Sequence, residues 1–183
     1  MANALYGNTL YCDTVGIISK TPITVKAICF YPNQQADAIQ FNWWDESNPL
    51  AGSNIAFTAT ASTGTVTNAS ASADVMTSAA FPDGAVVKVI DSSGAAGNKT
   101  YHLIGTAGND DRFVVTPTAL WADEATIYYH VTAYPARAAF QFKQPYDTNE
   151  LSMWFTFGGD GLRLPNLTLE TISSTCSAIV YIA

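Results

Sequence analysis

His102 and His130 are the two histidines of the chain, and both lie in runs with strand character, "TYHLIG" and "IYYHVTAY". An imidazole is the usual general base near neutral pH. Acyl transfer would pair it with a serine on a Gly-x-Ser-x-Gly elbow or with an activated cysteine. The sequence has no such elbow, and nothing beside Cys12, Cys29 or Cys176 resembles a protease signature. Both histidines are expected to be half-buried structural residues. The carboxylates come in pairs: Asp45 with Glu46, Asp110 with Asp111, Asp123 with Glu124, and Asp147 near Glu150. A glycosidase needs two carboxyl groups about 5 to 9.5 Å apart in a cleft. These pairs sit beside turn residues instead, where capping is the expected role.

Cation sites fare no better. "DESN" and "GNDD" lack the alternating ligands and closing bidentate glutamate of a calcium loop. "GGDGLR", from Gly158, has no Lys-Ser/Thr and no helix after it, so it predicts a turn rather than a phosphate loop. Three thiols without an adjacent histidine make a poor zinc set. They are expected as small buried hydrophobes, with one disulfide plus one free thiol as the alternative. The chain is therefore expected to be no enzyme and to need no cofactor or metal.

Aromatic residues carry the stronger signal. "FNWWDE" places Trp43 and Trp44 on opposite faces of one strand, and "MWFTF" does the same with Trp154 and Phe155. An outward ring covers a neighbouring domain or subunit, or it stacks on a sugar; packing is the favoured reading. Trp44 and Trp154 are accordingly candidate contact residues. Asn68, Asn98 and Asn166 begin Asn-x-Ser/Thr triplets. With no secretory signal pattern at "MANALYGNTLYCDTVG", these triplets are expected to be coincidental, and synthesis is expected in a cytoplasm.

What must position these residues is β-structure. Hydrophobic residues make up 48% of the 183 residues and charged ones only 13%, against roughly 25% in ordinary domains. A formal charge of −7 with eight Lys and Arg excludes the basic stripe that nucleic acid or an anionic membrane surface requires. No window of a dozen residues has helical periodicity with caps; "SADVMTSAAF" comes nearest and meets Pro82 at once. Short β-branched and aromatic runs between Gly, Pro, Asn and Asp predict an all-β antiparallel sandwich. The expected strands in the first half are 9–18, 23–31, 38–44, 55–60 and 86–91. Those after it are 101–105, 113–116, 126–134, 138–142, 152–157, 168–172 and 178–182. A hairpin is expected in "VIDSSGAAGNKTYHLIG" and another reversal in "GTAGNDDRFVV".

Neither chain end holds enough strands to close a core alone. The sequence therefore predicts an outer sandwich from residues 1–51 and 137–183, with a small β domain, 52–136, inserted between them. Within that insert, the Ala/Ser/Thr-rich stretch from about Gly52 to Ala80 is expected to be one strand followed by a surface loop. Residues before Thr9 show no strand pattern and are expected to form a free arm, with Leu5 and Tyr6 available to reach a neighbour.

"LYCDTVGIISKTPITVKAICFYPNQQADAIQFNWWDE" and the closing "LPNLTLETISSTCSAIVYIA" resemble small β-sandwich structural proteins of tailed bacteriophages. The likeness covers roughly 5–48 and 138–183, while "FPDGAVVKVIDSSGAAGNKTYHLIG" looks like the extra β domain that some virion proteins carry. The resemblance implies a capsid decoration (cement) protein, with a tail, receptor-binding or carbohydrate-binding accessory protein as the alternative. It implies the major capsid protein as partner, the capsid surface of the virion as location, and self-association. A trimer is favoured, because icosahedral shells offer three-fold positions. Leu5, Tyr6, Trp44 and Trp154 are the residues expected at shell or subunit contacts.

Overall fold

The computed structural model describes residues 3–34, 36–60, 63–68, 76–91, 100–109, 112–116, 124–144 and 152–183. Among these residues there is no helix. The chain opens with β1 (Ala4–Tyr6), β2 (Thr9–Cys12), β3 (Gly16–Ser19), β4 (Ile23–Tyr31) and β5 (Ala38–Trp44). The middle holds β6 (Ala51–Thr60), β7 (Thr65–Asn68), β8 (Val86–Asp91), β9 (Thr100–Thr106), β10 (Arg112–Thr116) and β11 (Glu124–Tyr134). It closes with β12 (Ala136–Lys143), β13 (Met153–Thr156), β14 (Leu162–Leu164), β15 (Leu167–Ile172) and β16 (Ser177–Ile182). The chain is all-β, and it divides into two compact units, 1–43 with 137–183, and 44–136.

The unit built from both chain ends is a sandwich. One sheet runs β1-β2-β16-β4-β13, with β14 also paired to β4, and the other runs β12-β5-β15-β3. Period-two alternation sends Leu10, Cys12, Ile28, Phe30, Ala178 and Val180 of the first sheet inward. They meet Ile39, Phe41, Phe142, Leu167 and Leu169 of the second in one core. Each large apolar side chain buried there contributes about 1.5–3 kcal/mol. The last strand is central: β16 pairs with β2 on one side and β4 on the other.

Two expectations for the amino end are corrected. The strand expected over Thr9 to Ile18 is two strands in different sheets. Asn3 causes the break, because its side chain takes over the backbone at the corner. Its Oδ1 accepts from the amides of Asp13 at 3.1 Å and Thr14 at 3.2 Å, and its Nδ2 donates to the Thr14 carbonyl at 2.8 Å. The arm expected to be free is an edge strand: Ala4, Leu5 and Tyr6 pair with Tyr11, Leu10 and Thr9 across a Gly7–Asn8 turn. Gly7 supplies the φ of 58° that such a tight turn requires.

The middle unit is a closed barrel in the order β10-β7-β6-β11-β8-β9. Closure leaves no open sheet edge among its described strands. Val66, Phe81, Val87, Ile104, Phe113 and Val131 fill its core, and the Phe81 and Phe113 rings stack at 5.0 Å. The stretch expected to be a loop after its first strand in fact supplies β7, whose Thr65–Asn68 pairs with both β6 and β10. Arms β8 and β9 pair antiparallel as a hairpin; the loop between them, 92–99, lies outside the described residues. One glycine is obligatory here. Gly108 donates its amide to the Phe81 carbonyl at 2.8 Å, and a Cβ at that position would lie 1.8 Å from the Met76 carbonyl oxygen.

A buried carboxylate knots the sandwich loops together. Asp37 is almost wholly buried. Its Oδ2 accepts from the amides of Asn33 at 2.8 Å and Gln34 at 2.7 Å, and from the Cys176 thiol at 3.0 Å. Burial alone would raise the carboxyl's pKa, but these hydrogen bonds overcome it and hold the pKa below the ordinary value. A lowered folded-state pKa adds stability above the unfolded value of about 3.9. That contribution is lost as pH falls below this value through the folded one. Asp37→Ala should cost about 2–3 kcal/mol, since the buried donors lose their acceptor. Asp37→Asn should flatten the loss of melting temperature below about pH 4; a thermal scan series with the slope unchanged would refute the assignment.

Candidate functional site

The outward face of the first sheet is where the sandwich presents rings to solvent. Register places Ala4, Tyr11, Ile179, Cys29 and Trp154 in one row across β1, β2, β16, β4 and β13. The next row is Tyr6, Thr9, Tyr181, Ala27 and Thr156. Neither row contains a carboxylate or a basic side chain. Trp154 is 56% exposed and leans on Tyr181, the ring centroids 5.5 Å apart and the planes 26° from parallel. Tyr6, Thr9, Tyr11 and Ile179 line a mostly apolar cleft of about 260 Å³ on the opposite side of Tyr181.

Beneath these rings the face is closed. Cys29 points outward yet is fully buried, and it shares a hydrogen bond with the Tyr31 hydroxyl. That bond, with burial and the neighbouring Tyr181, pushes Tyr31 up to about 12. The Tyr31 phenol therefore stays protonated at neutral pH and keeps a proton to donate. These two rows therefore offer apolar area with hydroxyls at its margins and no charged side chain, which suits macromolecular contact.

Of the four expected contact residues, three are on the surface. Leu5 is 61% and Tyr6 67% exposed on the edge strand, pointing to opposite faces, and Trp154 is on the aromatic face. Trp44 is corrected: it is fully buried and cannot meet a partner. Its ring packs on Tyr101 at 5.4 Å, and its Nε1 donates to Glu46 Oε1 at 3.3 Å. Lys88 Nζ lies 5.0 Å over the other ring of this cluster, that of Tyr101. Hydrogen bonding to Tyr101 raises the Lys88 pKa, so the lysine stays charged. Trp43 instead packs on the sandwich core, so each of the neighbouring tryptophans serves its own unit.

His102 is buried in β9 opposite Val87 of the barrel core. His130 lies in β11, and its side chain is outside the described residues, as are Asp110, Asp111, Asp123, Asp147 and Glu150. Asp45 accepts from the amide of Ser47 at 3.0 Å and its hydroxyl at 2.6 Å, a turn cap. The Gly158–Gly161 segment is a turn, with φ of 67° at Gly158 and 75° at Gly161. Cys12, Cys29 and Cys176 are free and buried; burial pushes Cys12 up to about 12 and Cys176 up to about 11. Asn166 is buried, so it is no acceptor for a glycan. The sequence reading does not single out Tyr11, Ile179 or Tyr181, although alternation sets Tyr11 apart from its inward neighbours in "TLYC" and groups Ile179 with Tyr181 in "SAIVYI"; the pairing of the two strands then puts all three on one face.

No protein-family model, curated protein or solved structure matches this chain.

Proposed function

We propose that this chain is a bacteriophage virion structural protein, a capsid decoration protein that acts by adhesion to the shell. The observation that carries the reading is the exposed apolar edge of the sandwich, where Leu5 and Tyr6 stand 61% and 67% exposed on a three-residue strand. A short edge strand resists runaway strand pairing, while its side chains remain free to fill a neighbour's pocket. The charge of −7 directs that contact toward protein rather than nucleic acid. The resemblance of both chain ends to phage structural proteins supports the major capsid protein as the partner. Bridging subunits in this way needs no turnover: each apolar contact retained on the shell is worth about 25 cal/mol per Å² before the costs of association.

Cosedimentation with particles lacking the protein tests this. Leu5→Glu should weaken attachment about tenfold or more, the size of a lost hot spot, while its circular dichroism stays unchanged. Binding equal to the parent chain would overturn the edge contact. The second reading, a receptor- or carbohydrate-binding accessory protein, draws on the Trp154–Tyr181 ring pair and the hydroxyl-edged cleft beside it. Capture on immobilised glycans, lost in Trp154→Ala, would favour it.

A further inference from the structure

The aromatic face carries an exposed indole and a recess, placed on opposite sides of the middle strand. The sheet order is β1-β2-β16-β4-β13, so β16 is its midline. Trp154 lies exposed on the β13 side, its ring against Tyr181, and the cleft of Tyr6, Thr9, Tyr11 and Ile179 opens on the β1–β2 side. Tyr181, on the midline strand, lies between them. A two-fold axis lying in the face along β16 exchanges the two sides. It carries the Trp154 of one copy over the cleft of the other, and reciprocally.

We propose that this face pairs with the same face of a second copy of the chain, each Trp154 entering the partner copy's cleft about an axis near Tyr181. Charge favours that occupant. Two chains of net charge −7 repel through most of their surface, whereas the two rows that would meet contain no charged side chain. Shape favours it too, because an isologous contact needs one patch that is self-complementary, with its knob and hole on opposite sides of the axis. The knob is already ordered. Its ring rests on Tyr181, so little rotamer freedom is lost on insertion. This goes beyond the shell-binding reading: the pairing is a property of the isolated protein, and Leu5, projecting to the other side of β1, is left for the shell.

Light scattering on the full chain across a concentration series tests the pairing. The expected mass at saturation is twice 19.5 kDa. Trp154→Ala removes both knobs of a pair, and Ile179→Arg blocks both holes. Each variant alone should dissociate at least about tenfold more readily, with circular dichroism confirming that each is folded. An equimolar mixture of the two should associate more tightly than either, because one intact knob then meets one intact hole. A monomer at every concentration, a three-chain mass, variants that pair as well as the parent, or a mixture no tighter than its components would each overturn the two-fold pairing. Shell binding by a monomeric parent chain would refute the pairing while leaving the adhesion reading intact.

Discussion

Deleting residues 177–183 should abolish the folded sandwich, not merely fray it. β16 is the midline strand of its sheet, with ladders to β2 on one side and β4 on the other. Its loss would open both ladders, leaving buried backbone donors and acceptors of two strands without partners. It would also remove Ala178 and Val180, fully buried side chains, from the core shared with the second sheet. Removing one large core side chain typically costs 2–5 kcal/mol, and whole domains are stable by only about 5–15 kcal/mol. Loss of a whole central strand exceeds that margin. The truncated chain should be insoluble or show no cooperative melting transition for the sandwich in calorimetry. A truncated protein that melts within a few degrees of the full chain would refute the central placement of β16. A peptide of the missing strand, added during refolding, should restore the transition.

The extent to which this fold was legible in the sequence follows from what period-two patterns can and cannot carry. β4, β5 and β8 match their sequence-derived bounds residue for residue, because each is a run of β-branched and aromatic residues bounded by turn formers. β1, β7 and β14 escaped, being three or four residues long, too short for an alternation to register. β7 was further masked by its Thr/Asn composition, which resembles a loop until barrel closure gives it two partners. The division of Thr9 to Ile18 depended on a side chain ten residues away, Asn3, which no local pattern reveals.

The contact surface was legible in part for a related reason. Alternation assigns Trp43 and Trp44 to opposite faces but does not say which face is covered. The answer came from Tyr101, more than fifty positions along the chain, and from the sandwich core. Trp154 was legible because alternation turns it away from the core side of its sheet, where it stays exposed. Tyr11, Ile179 and Tyr181 come from β2 and β16 at opposite ends of the chain. Only the pairing of the two chain ends makes them one surface.

If the chain is the proposed phage decoration protein, the most direct measurement of that claim is the temperature at which particles that carry it release their genome, with and without this protein. If the chain is a decoration protein, particles assembled without it should form but release their DNA at a lower temperature or under milder osmotic shock. Adding the purified protein back should restore the release temperature in a saturable way. At a free concentration one hundred times the dissociation constant, each occupied site adds about 2.7 kcal/mol to the intact state, repeated over every site on the shell. The Leu5→Glu protein should fail to restore resistance at concentrations where the parent chain does. Equal heat resistance with and without the protein would contradict the account and move the protein from the shell to the tail or receptor-binding alternative.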